Sequence, residues 1–456
     1  MIIRSKLADA DIAQGFTASN DIFQHKDFGL RLSDLYRNLE HGSVAILDGR
    51  WGSGKTTFVR MWVSHLKNHG TPAIYFDAFK SDYLDSPFHA VARTFIKAAK
   101  DAGKTDDPVY KTFLSKAAKV GRVVAGTAVK IGVKAATLGV ISESEIAYLG
   151  DLRESISDTL SEKSEEQINE ALLSPNDDDE LFDSLLKSLS NLPNLLSPNN
   201  NAGSVQSPLI IVIDELDRCR PDFALGILET LKHFFRADNL HFVLVTNSDH
   251  LSLAVSHRYG IGTASREYLE KFYDFLIYFE NSYNVDEPGS IKPFIKALSE
   301  RILKDRTNDI RNIEDMVVAL SCSFKLSLRQ IESLYVNISI SYLASRSGEF
   351  RPAVIVVFLV FLKALKPELF RSAKDGTLTS DDMKTLISSV KWTGKTSDNL
   401  IKHFRFYLDH NIDENSDQWR SFSVSLFNYH IERTRVIPYI ANSIIDRFGV
   451  SDLPTP

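Results

Sequence analysis

Cysteine is scarce: Cys219 and Cys322 are the two in 456 residues. Two thiols exclude a disulfide framework and a zinc site, point to a reducing, cytoplasmic compartment, and are expected as small buried side chains. Long apolar runs are missing too. The longest, Ala353 to Leu362 (AVIVVFLVFL), is closed by Arg351 and Lys363 and reaches about 15 Å as a helix, half of a hydrocarbon core. It reads as a buried helix or strand. Ala117 to Val140 is rich in Gly, Ala and Val, but its longest uncharged stretch, Val123 to Val129, is also too short to span. No membrane span is expected, and the opening MIIRSKLADADIAQ holds no apolar run of signal-peptide length. Nor is there an excess of positive charge. With 53 basic and 59 acidic residues the net charge is −6, which argues against a broad nucleic-acid footprint, and no aromatic-basic groove pattern is visible. His-Glu-x-x-His, Cys-x-x-Cys and Gly-x-Ser-x-Gly do not occur, so metalloprotease, zinc-finger and serine-hydrolase readings have no support.

What is present is an ordinary globular balance, 43% hydrophobic and 25% charged, on a chain long enough for two to four domains. Five short apolar runs read as buried strands: Val44–Asp48, Ala73–Asp77, Leu209–Asp214, His241–Asn247 and Phe275–Phe279. Helical patterns lie between them, so an α/β fold with a parallel sheet and crossover helices is expected. A helical lead-in runs through Phe28, Leu32, Leu35 and Leu39. The core is placed at 1–283, interrupted by an insertion at 105–206. A helical lid follows at 284–345, and a C-terminal all-helical region at 346–456.

The insertion is split by charge. Five basic residues lie between Lys116 and Lys134, and no acid lies between Asp107 and Glu143. Residues 142–206 then carry 14 acids and 3 bases. Within them, residues 176–180 and 197–204 read as solvated connectors. As one helix, 116–134 puts Lys116, Lys119, Lys130 and Lys134 within about 60° of one another. That face suits an anionic membrane or a subunit contact; packing against the adjacent acidic segment is the preferred reading.

Gly49-Arg50-Trp51-Gly52-Ser53-Gly54-Lys55-Thr56 matches G-x-x-x-x-G-K-[ST], directly after a strand and before the helical pattern that begins at Thr57. Glycines let successive backbone N–H groups curve around a phosphate, Lys55 adds charge, and Thr56 offers a hydroxyl to Mg²⁺. A chance match in such a chain arises roughly once in a hundred sequences. Leu209 to Asp214 followed by Glu215 gives apolar residues and then two acids. Asp214 is the candidate to hold the metal shell, and Glu215 to take a proton from water. Both acids serve equally as caps of a following helix when taken without the phosphate loop. Asn247 ends the fourth run, where its side chain would position water; a plain strand-end turn explains it nearly as well.

Tryptophan within the phosphate loop, together with Asp214-Glu-Leu-Asp-Arg-Cys219, resembles the KAP family of P-loop NTPases. Tyr268-Leu-Glu-Lys-Phe272 and Leu326-Ser-Leu-Arg-Gln-Ile-Glu332 are similar to the family as well, and the resemblance covers roughly residues 15–345. Glu215 departs from the family's usual Asp. The resemblance implies an ATPase core related to AAA+ and STAND proteins, with sheet order 5-1-4-3-2, ATP and Mg²⁺ as ligands, and an oligomeric switch that controls an effector or sensor protein. Many members carry membrane hairpins where this chain has its insertion; Lys116, Lys119, Arg122, Lys130 and Lys134 depart from that pattern. Bacterial members are associated with phage exclusion, which implies anti-phage defence. Arg329 is by resemblance the lid arginine that senses the γ-phosphate. Arg218, Arg258 and Arg266 are candidates for a finger supplied to a neighbouring subunit, with an ordinary surface arginine the simpler reading of each. The competing function is a nucleotide-gated scaffold with little turnover; a nucleic-acid motor is the third.

Overall fold

The computed structural model describes residues 9–130 except 85, 175–197, 207–280 except 235 and 236, 287–344 except 304–306 and 308, 349–409 except 393–395, and 431–447. All five apolar runs are strands: β1 (Ser43–Asp48), β2 (Ala73–Asp77), β3 (Leu209–Asp214), β4 (Leu240–Thr246) and β5 (Phe275–Tyr278). They pair in parallel in the order β2-β3-β4-β1-β5, which read from the other edge is the expected 5-1-4-3-2. The physical reason that the strands read as continuous apolar runs is coverage on both faces. Ile46, Phe76, Ile211, Ile213, Phe242 and Leu244 join one core, while Ala45, Leu47, Val212, Val243 and Val245 join the core on the opposite face.

The helices of the core begin with α1 (Lys26–Arg37) and α2 (Lys55–Asn68), whose Phe58 and Trp62 are fully buried under the sheet. The second face is covered by α3 (Pro87–Asp101) and α6 (Pro221–Phe234). Between these two lie α4 (Pro108–Lys130) and α5 (Pro175–Leu189), which pack along each other. Residues 176–180, expected as a connector, instead form the first turn of α5. Asn, Asp and Pro resemble loop signals, yet they are favoured at a helix start, where acids meet the positive end of the dipole. The stretches 131–134, 142–174 and 198–204 lie outside the described residues. Lys116 Nζ reaches across to the Ser184 carbonyl at 3.0 Å, so the described part of the basic helix packs on the tail of the acidic segment.

After β4 come α7 (Ser248–Tyr259) and β5, and then a run of helices: α8 (Pro288–Ile302), α9 (Ile310–Ser323), α10 (Leu328–Ala344), α11 (Ala353–Leu365), α12 (Pro367–Asp375), α13 (Ser380–Ser388) and α14 (Thr396–Leu408). The apolar Ala353–Leu362 run is a helix, and every residue from Ile355 to Leu362 is buried. It forms the spine of one apolar core running from Ile291 to Ile445. The expected division at residue 345 passes through this core, with Tyr342 on one side and Phe350 and Ala353 on the other. Among the described residues, no helix is long and apolar enough to cross a membrane.

Candidate active site

The loop from Gly49 to Gly54 joins β1 to α2. Gly52 and Gly54 have φ of +76° and +95°, left-handed values that a side chain resists. Space adds a second demand at Gly52, where a Cβ would lie 3.1 Å from the Cβ atoms of both Arg329 and Ser327. The start of α10 therefore sits directly on the phosphate loop. That start is fixed locally: Ser327 Oγ accepts the Gln330 backbone N–H at 3.3 Å, and Gln330 Oε1 accepts the Ser327 N–H at 2.8 Å, a reciprocal cap. Arg329 is thus brought to the loop across nearly three hundred residues of chain.

Lys55 is buried, and its ammonium donates to the carbonyls of Gly49 and Arg50, the latter at 3.1 Å. Burial pulls its pKa down, while Asp217, Asp48, Asp214 and Glu215 oppose the shift. Ser53 is buried with a hydroxyl that has no protein partner. Thr56 and Thr57 open α2. Thr56 Oγ1 donates to Glu215 Oε1 at 3.1 Å, whereas Thr57 is exposed.

Asp214 ends β3 and is buried. Its Oδ2 accepts the Tyr75 hydroxyl at 2.9 Å, and its Oδ1 accepts the Glu215 backbone N–H at 2.9 Å. Burial pushes its pKa up to about 6, against the lowering effect of the Tyr75 hydrogen bond. Glu215 has φ of +62°, an uncommon conformation for glutamate that costs on the order of 1–3 kcal/mol and turns the chain sharply at the strand end. One of its oxygens meets the Thr56 hydroxyl. The other forms an ion pair with Arg218, a charge contact without hydrogen-bond alignment, since Oε2 has no hydrogen-bond partner.

The remaining expected residues fall as follows. Asn247 caps α7: its Oδ1 accepts the backbone N–H groups of Asp249 and His250 at 3.1 and 3.3 Å. Arg258 is paired with Asp222 at 3.0 Å and Arg266 with Asp249 at 2.7 Å, all exposed. Cys219 donates weakly to the Glu215 carbonyl at 3.5 Å, and burial pushes its thiol up to about 12.

Several contributors escape sequence reasoning. Tyr75 reaches Asp214 because β2 pairs with β3 in the register Asp77↔Asp214. Asp217 Oδ2 accepts both the Trp51 indole N–H and the Asn247 backbone N–H, the latter at 3.1 Å, so one carboxylate ties the phosphate loop to the end of β4. Trp51 also stacks on His250 at 3.8 Å. Asp48 accepts the Ser248 N–H at 2.7 Å. Asp217 lies inside the recognised Asp-Glu-Leu-Asp-Arg-Cys run, which is the one signal that pointed to it.

The residues present fit a bound nucleotide and a divalent cation. Two left-handed glycines shape a backbone cradle, an orphaned Ser53 hydroxyl lies within it, and Thr56 faces two strand-end acids. Among the described residues no cluster of three or more His, Cys, Asp or Glu side chains forms a metal cage. Mg²⁺ keeps waters and phosphate oxygens beside one or two protein ligands, and the Thr56 hydroxyl and the Asp214 carboxylate are donors of that kind. No curated protein matches the chain. The family described as the KAP family P-loop domain matches residues 31–344, well over half of the sequence. This chain belongs to the KAP family of P-loop NTPases.

Proposed function

We propose that the protein hydrolyses ATP and uses the cycle as a switch in an oligomeric assembly that acts with an effector or sensor protein, in bacterial anti-phage defence. The observation that carries the hydrolytic part is the convergence of Lys55, Thr56, Asp214 and Glu215 at the carboxyl end of the sheet, with Arg329 brought onto Gly52 by the lid helix. Membership of a P-loop NTPase family supports nucleotide binding; the oligomer, the partner and the defence role rest on the family association.

When bound, Mg²⁺ would neutralise the β- and γ-phosphate oxygens, with Thr56 and Asp214 as its protein ligands, directly or through water. Lys55 exchanges the Gly49 and Arg50 carbonyls for phosphate oxygens. Backbone N–H groups from Gly52 to Thr56, at the start of α2, hold the β-phosphate with the helix dipole behind them. Glu215 orients a water and takes its proton as the water oxygen attacks the γ-phosphorus and the bond to the bridging oxygen of ADP breaks. Arg329 adds positive charge beside the γ-phosphate. Trp51, held by Asp217 and stacked on His250, fixes the outer rim of the loop.

The test is phosphate release with Mg·ATP by the parent, Lys55→Ala and Glu215→Gln, with mass measured by light scattering. Turnover by the parent alone, and a larger ATP-bound assembly trapped by Glu215→Gln, is the expected result. One observation favours the scaffold reading: both oxygens of Glu215 are already engaged by Thr56 and Arg218. Assembly with ATP but without turnover, and with Glu215→Gln behaving as the parent, would establish that reading instead.

A further inference from the structure

We propose that Arg218 acts in cis as a positioning residue that restrains Glu215 and holds basal turnover down. The proposal rests on the reading of Glu215 as the group that activates water. Arg218 lies three residues beyond Glu215, at the end of the single helical turn Leu216–Arg218 that follows β3. The Arg218 backbone N–H closes this turn on the Glu215 carbonyl at 3.2 Å, and its guanidinium folds back as an ion pair onto Oε2. Chain connectivity therefore delivers the cation to its own carboxylate, whatever neighbours the protein has.

The chemistry of the contact decides its effect. A carboxylate held by a hydroxyl on one oxygen and by a guanidinium on the other is fixed in orientation at both ends. So held, it is not free to swing to a water beside the γ-phosphate. Glu215 is 12% exposed and Arg218 34%, so the pair is shielded enough to matter, and the arginine keeps an outward face. The left-handed backbone at Glu215 aims the side chain into this double contact, leaning it toward Thr56. Releasing one contact frees the carboxylate to turn toward the γ-phosphate side.

The test combines turnover with a binding cycle. Steady-state phosphate release is measured for the parent, Arg218→Ala and Arg218→Lys. Restraint predicts kcat raised about threefold or more in Arg218→Ala with KM unchanged, and Arg218→Lys close to the parent because it retains the charge. A fall in kcat, or a rise in KM, overturns the proposal. A second readout needs no turnover: the Mg²⁺ dependence of binding of a fluorescent ATP analogue. Removing Arg218 should lower the half-saturating Mg²⁺ concentration about threefold in the parent and leave it unchanged in the Glu215→Gln background. An equal effect in both backgrounds shows that Arg218 does not act through Glu215. Recovery of turnover on mixing Arg218→Ala with Lys55→Ala protein would assign Arg218 to a neighbour's site and sink the cis restraint. If the parent binds the analogue but hydrolyses nothing, the proposed function falls, while the Mg²⁺ cycle still decides the role of Arg218.

Discussion

The two ends of the same parallel sheet bury polar side chains in opposite ways. At the carboxyl ends of β1, β3 and β4, a buried lysine lies in the combined field of Asp217, Asp48, Asp214 and Glu215. At the amino ends, His241 is fully buried with Ser43 Oγ at 2.9 Å from Nδ1, and its Nε2 has no hydrogen-bond partner. The Tyr36 hydroxyl, on a ring 5.3 Å from the imidazole, is likewise orphaned. Burial alone drives the His241 pKa down to about 4, so the buried imidazole is uncharged near neutrality. Charge buried with compensating charge is expensive to build and useful for chemistry. A neutral polar group buried without compensation only costs stability. One end of the sheet is thus organised to bind a nucleotide, and the other closes the core.

Substitutions can break this contrast. Lys55→Ala has the largest expected effect on activity, lowering kcat about a hundred- to a thousandfold, with a melting temperature no lower than the parent's; a thermal scan beside phosphate release checks both halves. Tyr75→Phe keeps the ring and deletes the hydroxyl that donates to Asp214 Oδ2. It should raise the half-saturating Mg²⁺ concentration about tenfold, the usual scale for a group that orients a metal ligand, as read from a Mg²⁺ titration of turnover. Gly52→Ala tests the seam between the sheet and the helical body. It meets a left-handed φ and two Cβ atoms at 3.1 Å, so about 1–3 kcal/mol of stability should be lost. ATP affinity should fall with it, whereas Gly103→Ala, at φ of +66° with open space around it, should leave ATP affinity unchanged.

How far the sequence displays this arrangement depends on how local each signal is. All five strands were legible because a parallel strand covered on both faces has no reason to alternate. Lys55 and Thr56 were legible because the glycine spacing that shapes a phosphate loop is contiguous. The strand order entered through family resemblance, since periodicity carries no information about which strand lies beside which. Tyr75 stayed hidden because its contact spans 139 residues and exists only in the β2–β3 register. Residues 176–180 misled because the residue types that start a helix are those that also fill loops. Ala353–Leu362 remained open between helix and strand for a related reason: a segment buried on every side shows neither period. The division at 345 followed the end of the family resemblance, which carries no information on whether Tyr342 and Ala353 share one core.

The smallest effect belongs to the quiet end of the sheet, and its sign follows from linkage. His241 has a pKa of about 4 when folded, against an ordinary 6.5. As pH falls below about 6.5, the unfolded chain takes up the proton while the folded chain does not. Stability is therefore fully present above about 6.5, drains away as pH drops, and stops draining below about 4. At pH 5 the loss from this one group reaches up to about 2 kcal/mol. Replacing the imidazole by an amide that does not titrate, as in His241→Gln, removes that slope. Denaturant unfolding of parent and variant should then differ by a roughly constant amount from pH 7 to 8, with the gap shifting in the variant's favour between pH 6 and 4.5. Parallel curves over the whole range would mean that the folded histidine takes up its proton as readily as the unfolded one. Below about pH 6.5 the imidazole would then be a buried charge, and the contrast with the Lys55 end would collapse.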